Sequence, residues 1–138
     1  MSPKEQKRLF IIDGYATLYR AHYALIRNPL TNSAGTPTSA IFGFANQIFQ
    51  IIDDEKPDYL VTAFDSKGKN FRHEIFSDYK ANRSEMPDEI QQQLPYLWKL
   101  LEAMNIPVLR VDGVEADDII GTVAKKCNDN NLQCNIVS

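Results

Sequence analysis

Leu9-Phe10-Ile11-Ile12-Asp13-Gly14 is a short apolar run that ends in an acid and a glycine. A run of this length, closed by turn residues, predicts a buried strand. Three more runs have the same character: Tyr59-Leu60-Val61-Thr62-Ala63-Phe64, Val108-Leu109-Arg110-Val111 and Cys134-Asn135-Ile136-Val137. Helical patterns fill the intervals. One helix is expected over about residues 15–26. A second opens at Thr38-Ser39, a capping pair, and carries Ile41, Phe44, Ala45, Ile48 and Ile52 on one face. A third, rich in cations, covers about 71–83. A fourth follows Met86-Pro87-Asp88 and carries Leu94, Leu97, Trp98, Leu101 and Met104, with Pro95 marking a kink or a fresh start. The last, about 116–128, lines up Ala116, Ile119, Ile120, Val123, Ala124 and Cys127 in one stripe. Residues 28–37 read as a loop punctuated by Pro29, Gly35 and Pro37. Strands that alternate with helices need crossover connections. The expected fold is therefore α/β: a three-layer α/β/α domain with a mainly parallel central sheet.

Composition narrows the function. The 138 residues suit one compact domain, and 43% hydrophobic content is enough for a core. The net charge of −3 gives no overall basic excess, so any nucleic-acid binding must use locally concentrated cations. Cys127 and Cys134 form no C-x-x-C and have no histidine nearby, which argues against zinc. They are expected as core thiols in a reducing cytosol. The apolar run after the charged start is too short for a signal peptide. The uncharged stretch 28–52 is too rich in Asn, Thr, Gln and Pro for a membrane span. A soluble, cytoplasmic protein without membrane association is expected. Neither G-x-x-x-x-G-K-[ST] nor G-x-G-x-x-G occurs, so a nucleotide-binding loop is not supported.

The acids carry the first functional signal. The first strand ends in Asp13-Gly14 and the second in Asp65-Ser66. The third leads through Asp112-Gly113 into Val114-Glu115-Ala116-Asp117-Asp118. In a parallel sheet the carboxyl ends share one edge, so Asp13, Asp65, Glu115, Asp117 and Asp118 converge there. Crowded carboxylates repel unless cations or protons neutralise them. Hard oxygen ligands favour Mg²⁺ or Mn²⁺. Two such ions can activate water and stabilise the leaving oxygen in phosphodiester cleavage. Each acid also has a plainer reading. Asp13 suits a turn or a helix cap, and Asp117 and Asp118 suit dipole compensation at a helix start. Asp112 reads as a turn residue.

The charge is divided along the chain. Lys67, Lys69, Arg72, Lys80 and Arg83 outnumber Glu74 and Asp78, whereas acids dominate from Glu85 to Asp118. Arg72, Phe76, Tyr79, Lys80 and Arg83 fall at i, i+4, i+7, i+8 and i+11, on one helical face. Cations interleaved with aromatics suit a single strand, with phosphates held by the cations and bases stacked on the rings. A solvated surface helix with Phe76 and Tyr79 packed inward has the same pattern. Arg20, beside Tyr19 on the first helix, is placed either to hold a phosphate or as an ordinary surface residue. A small-ester phosphohydrolase of the aspartyl-phosphate type needs a second acid two residues after Asp13. That position is Tyr15, which argues against it.

In order along the chain stand Ile12-Asp13-Gly14, Phe64-Asp65-Ser66-Lys67-Gly68-Lys69, Phe71-Arg72-His73-Glu74, Tyr79-Lys80-Ala81-Asn82-Arg83, Met86-Pro87 and Gly113-Val114-Glu115-Ala116-Asp117-Asp118. This series resembles the 5′–3′ exonuclease domain of bacterial DNA polymerase I, in the flap-endonuclease, PIN-like group. The resemblance spans nearly the whole chain. It implies that Asp13, Asp65, Glu115, Asp117 and Asp118 bind metal. It implies that Lys80 and Arg83 are catalytic, on an arch through which a 5′ single strand passes, with Lys80 near the scissile phosphate. Arg72 and Tyr79 would contact DNA in the same motif, and Arg20 would approach the phosphates. The implied substrates are DNA with a 5′ flap or 5′ single-stranded end, and RNA primers, in replication and repair. A polymerase domain is implied on the same polypeptide. Residues 1–138 would be the N-terminal part of the nuclease domain, lacking its C-terminal half and the later aspartates, which leaves a catalytically inactive DNA-binding fragment as the alternative.

Overall fold

The computed structural model describes residues 6–66 and 86–138. Strands β1 (Arg8–Asp13), β2 (Tyr59–Ala63), β3 (Val108–Leu109) and β4 (Gln133–Val137) form one sheet in the order β3-β2-β1-β4. Every neighbouring pair is parallel. The helices are α1 (Gly14–Ala24), α2 (Ser39–Gln50), α3 (Asp88–Gln91), α4 (Leu94–Ala103) and α5 (Ala116–Asp129). The expected α/β class and parallel sheet are therefore observed.

Alternation along β1 sorts the core into two layers. Phe10 and Ile12 pack with Leu18, Ala40, Phe44, Ile48, Leu97 and Leu101 from α1, α2 and α4. Ile11 points the other way and packs with Ala63, Ala116, Ile119 and Ile120. Helices thus cover both faces, as a parallel sheet demands. The order steps from β1 to β2 to β3 on one side, then returns to place β4 on the other side of β1. In open α/β sheets ligands usually sit where the strand order reverses, which here is at the carboxyl ends of β1 and β4.

Several boundaries differ from the sequence pattern, each for a local reason. The third strand pairs over only two residues because the chain turns at once, closed by Val114 N–H to the Val111 carbonyl at 3.0 Å. Thr38 sits at the N-cap of α2 but its side chain makes no cap bond. Ser39 instead holds the preceding loop, its Oγ accepting from Leu30 N at 2.8 Å. The buried stripe of α2 continues to Ile51 rather than Ile52, because the helix loosens into a π-helical turn over Ile51–Glu55. Pro95 marks a fresh start, in the first turn of α4. Gln93, buried just before α4, has both ends of its amide satisfied. Its Nε2 donates to the Glu89 carbonyl at 2.8 Å and its Oε1 accepts from Ile41 N at 3.0 Å. This one side chain ties the start of α4 to the start of α2.

Candidate active site

Asp13 is the last residue of β1 and the N-cap of α1, where its Oδ1 accepts from Ala16 N at 3.4 Å. Gly14 follows because nothing larger fits. A Cβ there would lie 2.1 Å from the ring of Phe64. Asp13 is in register with Ala63 on β2, so Asp65 stands just two residues further along the neighbouring chain. Asp65 reaches across to the next crossover, where its Oδ1 accepts from Ala116 N, the first amide of α5, at 2.7 Å. Ser66 repeats the tie. Its Oγ accepts from Gly113 N at 3.1 Å and its amide donates to the Val114 carbonyl at 3.3 Å. Gly113 has φ 77°, the left-handed conformation that the third position of a type II turn requires.

The start of α5 supplies the remaining acids. Glu115 is its N-cap, extended at φ −81° and ψ 156°, and only 3% exposed. Asp117 is exposed and Asp118 half-buried, both in the first turn. There they face the positive end of the helix dipole, which favours their charge. All five predicted acids therefore lie on the carboxyl edge of the sheet. The plainer roles are real as well, since Asp13 caps α1 and Asp65 caps α5. Among the described residues, no three His, Cys, Asp or Glu side chains form a ready ligand set. The donors are hard carboxylate oxygens, which in kind fit a divalent cation of the Mg²⁺ type.

The Arg20 guanidinium donates to the Ser138 carbonyl, just past β4. Arg72, Tyr79, Lys80 and Arg83, with the whole predicted helix over 71–83, lie outside the described residues.

A cluster beside Asp65 is not anticipated by the strand-end acids. The Arg110 guanidinium stacks 4.6 Å from the Trp98 ring centre and 6.0 Å from that of Phe64. Phe64 meets Trp98 and Tyr15 edge to face, at 4.8 and 5.1 Å. Arg110 also lies close enough to Tyr15 for its charge to act on the hydroxyl. Burial pushes the Tyr15 hydroxyl above its ordinary pKa. The Arg110 charge opposes that shift, and the Asp65 charge adds to it. The only sequence signal was an arginine at the end of an apolar strand.

Fold and site together define a parallel α/β domain with acids from three successive strands gathered on its carboxyl edge. The chain belongs to the family described as 5′-3′ exonuclease, N-terminal resolvase-like domain, whose model matches residues 8–138. It is 44% identical over 131 residues to DNA polymerase I of Caldicellulosiruptor bescii, covering 95% of this chain and 15% of that protein. It is 40% identical over 132 residues to the 5′-3′ exonuclease of Aquifex aeolicus, covering 96% of this chain and 45% of that protein. The chain thus spans under half the length of even this shorter relative. Among solved structures, a zinc-bound T5 5′-exonuclease superposes with TM-score 0.69 at 20% identity, over 96% of this chain and 49% of that one. The bacteriophage T5 flap endonuclease with DNA and metal ions gives TM-score 0.65 at 22% identity, over 96% and 48%. These two likenesses establish the shared fold. Among the described residues, no helix is long and apolar enough to cross a membrane.

Proposed function

We propose that this chain is the acid-bearing N-terminal part of a metal-dependent 5′–3′ exonuclease or flap endonuclease that hydrolyses DNA phosphodiester bonds. The observation that carries the reading is the tie from Asp65 to Ala116 N, which joins the acid after β2 to the Glu115-Ala116-Asp117-Asp118 turn. Asp13, Asp65, Glu115, Asp117 and Asp118 would hold Mg²⁺ or Mn²⁺. When bound, such an ion supplies Lewis acidity and a water of lowered pKa. The chain's own groups orient and exclude. The Ala116 amide fixes Asp65, and the α5 terminus offsets the repulsion between neighbouring acids. Lys80 and Arg83 neutralise charge on the scissile phosphate. Arg20, Arg72 and Tyr79 hold the 5′ strand. The substrates are DNA with a 5′ flap or single-stranded end, and RNA primers. The setting is the cytoplasm, with a polymerase domain on the full-length polypeptide.

The test is cleavage of a labelled 5′-flap DNA by this chain, with Mn²⁺ and with EDTA. Product at the flap junction that needs metal and disappears in Asp13→Ala is the expected result. The competing outcome is DNA binding without catalysis. It predicts salt-sensitive binding of the same DNA with no product.

A further inference from the structure

Arg110 has an edge built for an oxyanion. Its Nε and Nη2 atoms are both buried and meet no hydrogen-bond acceptor among the described residues. These two nitrogens lie on the same side of the planar guanidinium and carry parallel N–H bonds. They form the fork that grips two oxygens of a phosphate or carboxylate at once. The rest of the group is already fixed. Trp98 stacks on it at 4.6 Å and Phe64 lies at 6.0 Å. Buried donors of a charged group are costly to leave unmet, so a native chain that keeps them has a use for the position.

The nearby acid does not supply the partner. Asp65 is close enough for its charge to act on Tyr15, yet it makes no ion pair with Arg110 among the described residues. Its Oδ1 is engaged by Ala116 N. Arg110 follows directly on β3 and so stands on the same carboxyl edge as Asp13 and Asp65. Phosphates must come to this edge if the chain acts on nucleic acid.

We propose that the Nε–Nη2 edge of Arg110 is a phosphate-binding position, taking two non-bridging oxygens of one backbone phosphodiester of the nucleic-acid substrate. The proposal rests on the nuclease reading above. The edge is closed to water, so the incoming phosphate displaces whatever covers it. In return it gains a bidentate pair of charge-assisted bonds in a water-poor setting. Trp98 and Phe64 act as positioning residues that hold the fork in one orientation.

The experiment is a methylphosphonate scan. A labelled 5′-flap DNA is made in a series, each member with one phosphate near the junction replaced by a neutral methylphosphonate. Binding is followed by fluorescence anisotropy in EDTA, for the wild-type chain, Arg110→Met and Arg110→Lys. Circular dichroism confirms the fold of each variant. For the wild type, neutralising one particular phosphate should weaken binding about tenfold. In Arg110→Met that loss should disappear, while losses at other phosphates remain. Arg110→Lys keeps the charge but not the fork, so it should lose most of the same effect, and it serves as the test should the methionine variant not fold. An unchanged scan in the folded variants overturns the proposal and points to a carboxylate of the chain as the partner. A uniform weakening at every position also overturns it. No binding by the wild type sinks the nuclease reading together with this one, which separates the two failures.

Discussion

Asp65 shows how one side chain serves both fold and site. Its Oδ1 takes the first amide of α5 at 2.7 Å, a cap that a helix start needs. Asp65→Ala leaves that amide without its acceptor and should cost about 1 kcal/mol of stability by urea denaturation. Asp65→Asn keeps an acceptor and should lie within a few tenths of a kcal/mol of wild type. It should nevertheless bind divalent metal more weakly, because the charge is gone. Equal destabilisation by both variants would show that charge, not capping, is what matters at this position. Gly14 makes a sharper residue-scale prediction. A methyl group there would sit 2.1 Å from Phe64, which also packs against Tyr15 and Trp98. Gly14→Ala should cost about 1–3 kcal/mol by overpacking, read in the same denaturation experiment.

At the scale of elements, the two helical layers have different tasks. The layer of α1, α2 and α4 holds most of the large buried side chains, including Phe44, Leu97 and Leu101. Leu101 is fully buried on α4 beneath the sheet. Leu101→Ala should lower stability by about 2–5 kcal/mol, the range for a cavity in a packed core. Metal affinity measured under native conditions should stay unchanged, because α4 contributes none of the five acids. On the other face, α5 has a smaller buried set of Ala116, Ile119, Ile120 and Cys127. Its first turn carries Asp117 and Asp118 and is held to the segment after β2 through Asp65, while Ser66 holds the preceding turn at Gly113. Loosening α5 should therefore reach the site directly.

At the scale of the whole molecule, the sheet sets Asp13, Asp65 and the acids of the α5 start on one edge, and metal binding there has a thermodynamic signature. If the five acids on this edge hold a divalent cation, as proposed, that cation binds the folded chain and not the unfolded one. Any ligand of the folded state stabilises it by mass action, by about 2.7 kcal/mol at a hundredfold excess over Kd. Thermal melting should therefore rise when Mn²⁺ or Mg²⁺ is added and fall back with EDTA. The double variant Asp117→Asn with Asp118→Asn should respond much less. A melting temperature indifferent to both ions would mean that these acids, in this chain, hold no metal.

Much of this protein is legible before any coordinates. Apolar runs such as Leu9 to Ile12 bury on both faces of a sheet, and helical stripes such as Ala116 to Cys127 bury on one face. Their alternation determines a parallel α/β fold by short-range chemistry alone. The acids at the strand ends follow from the same reading, because parallel strands share a carboxyl edge. The rest depends on contacts between residues far apart in sequence. No local pattern reveals that the carboxylate of Asp65 caps a helix fifty-one residues later, or that Ser39 serves a loop rather than its own helix. Nor does one place Arg110 against Trp98 and Phe64 with its fork unmet among the described residues. Periodicity reports which face of an element is buried. Only the tertiary structure decides which groups meet there, because hydrogen bonds and ring stacking depend on distances of a few ångströms that the order of residues does not encode.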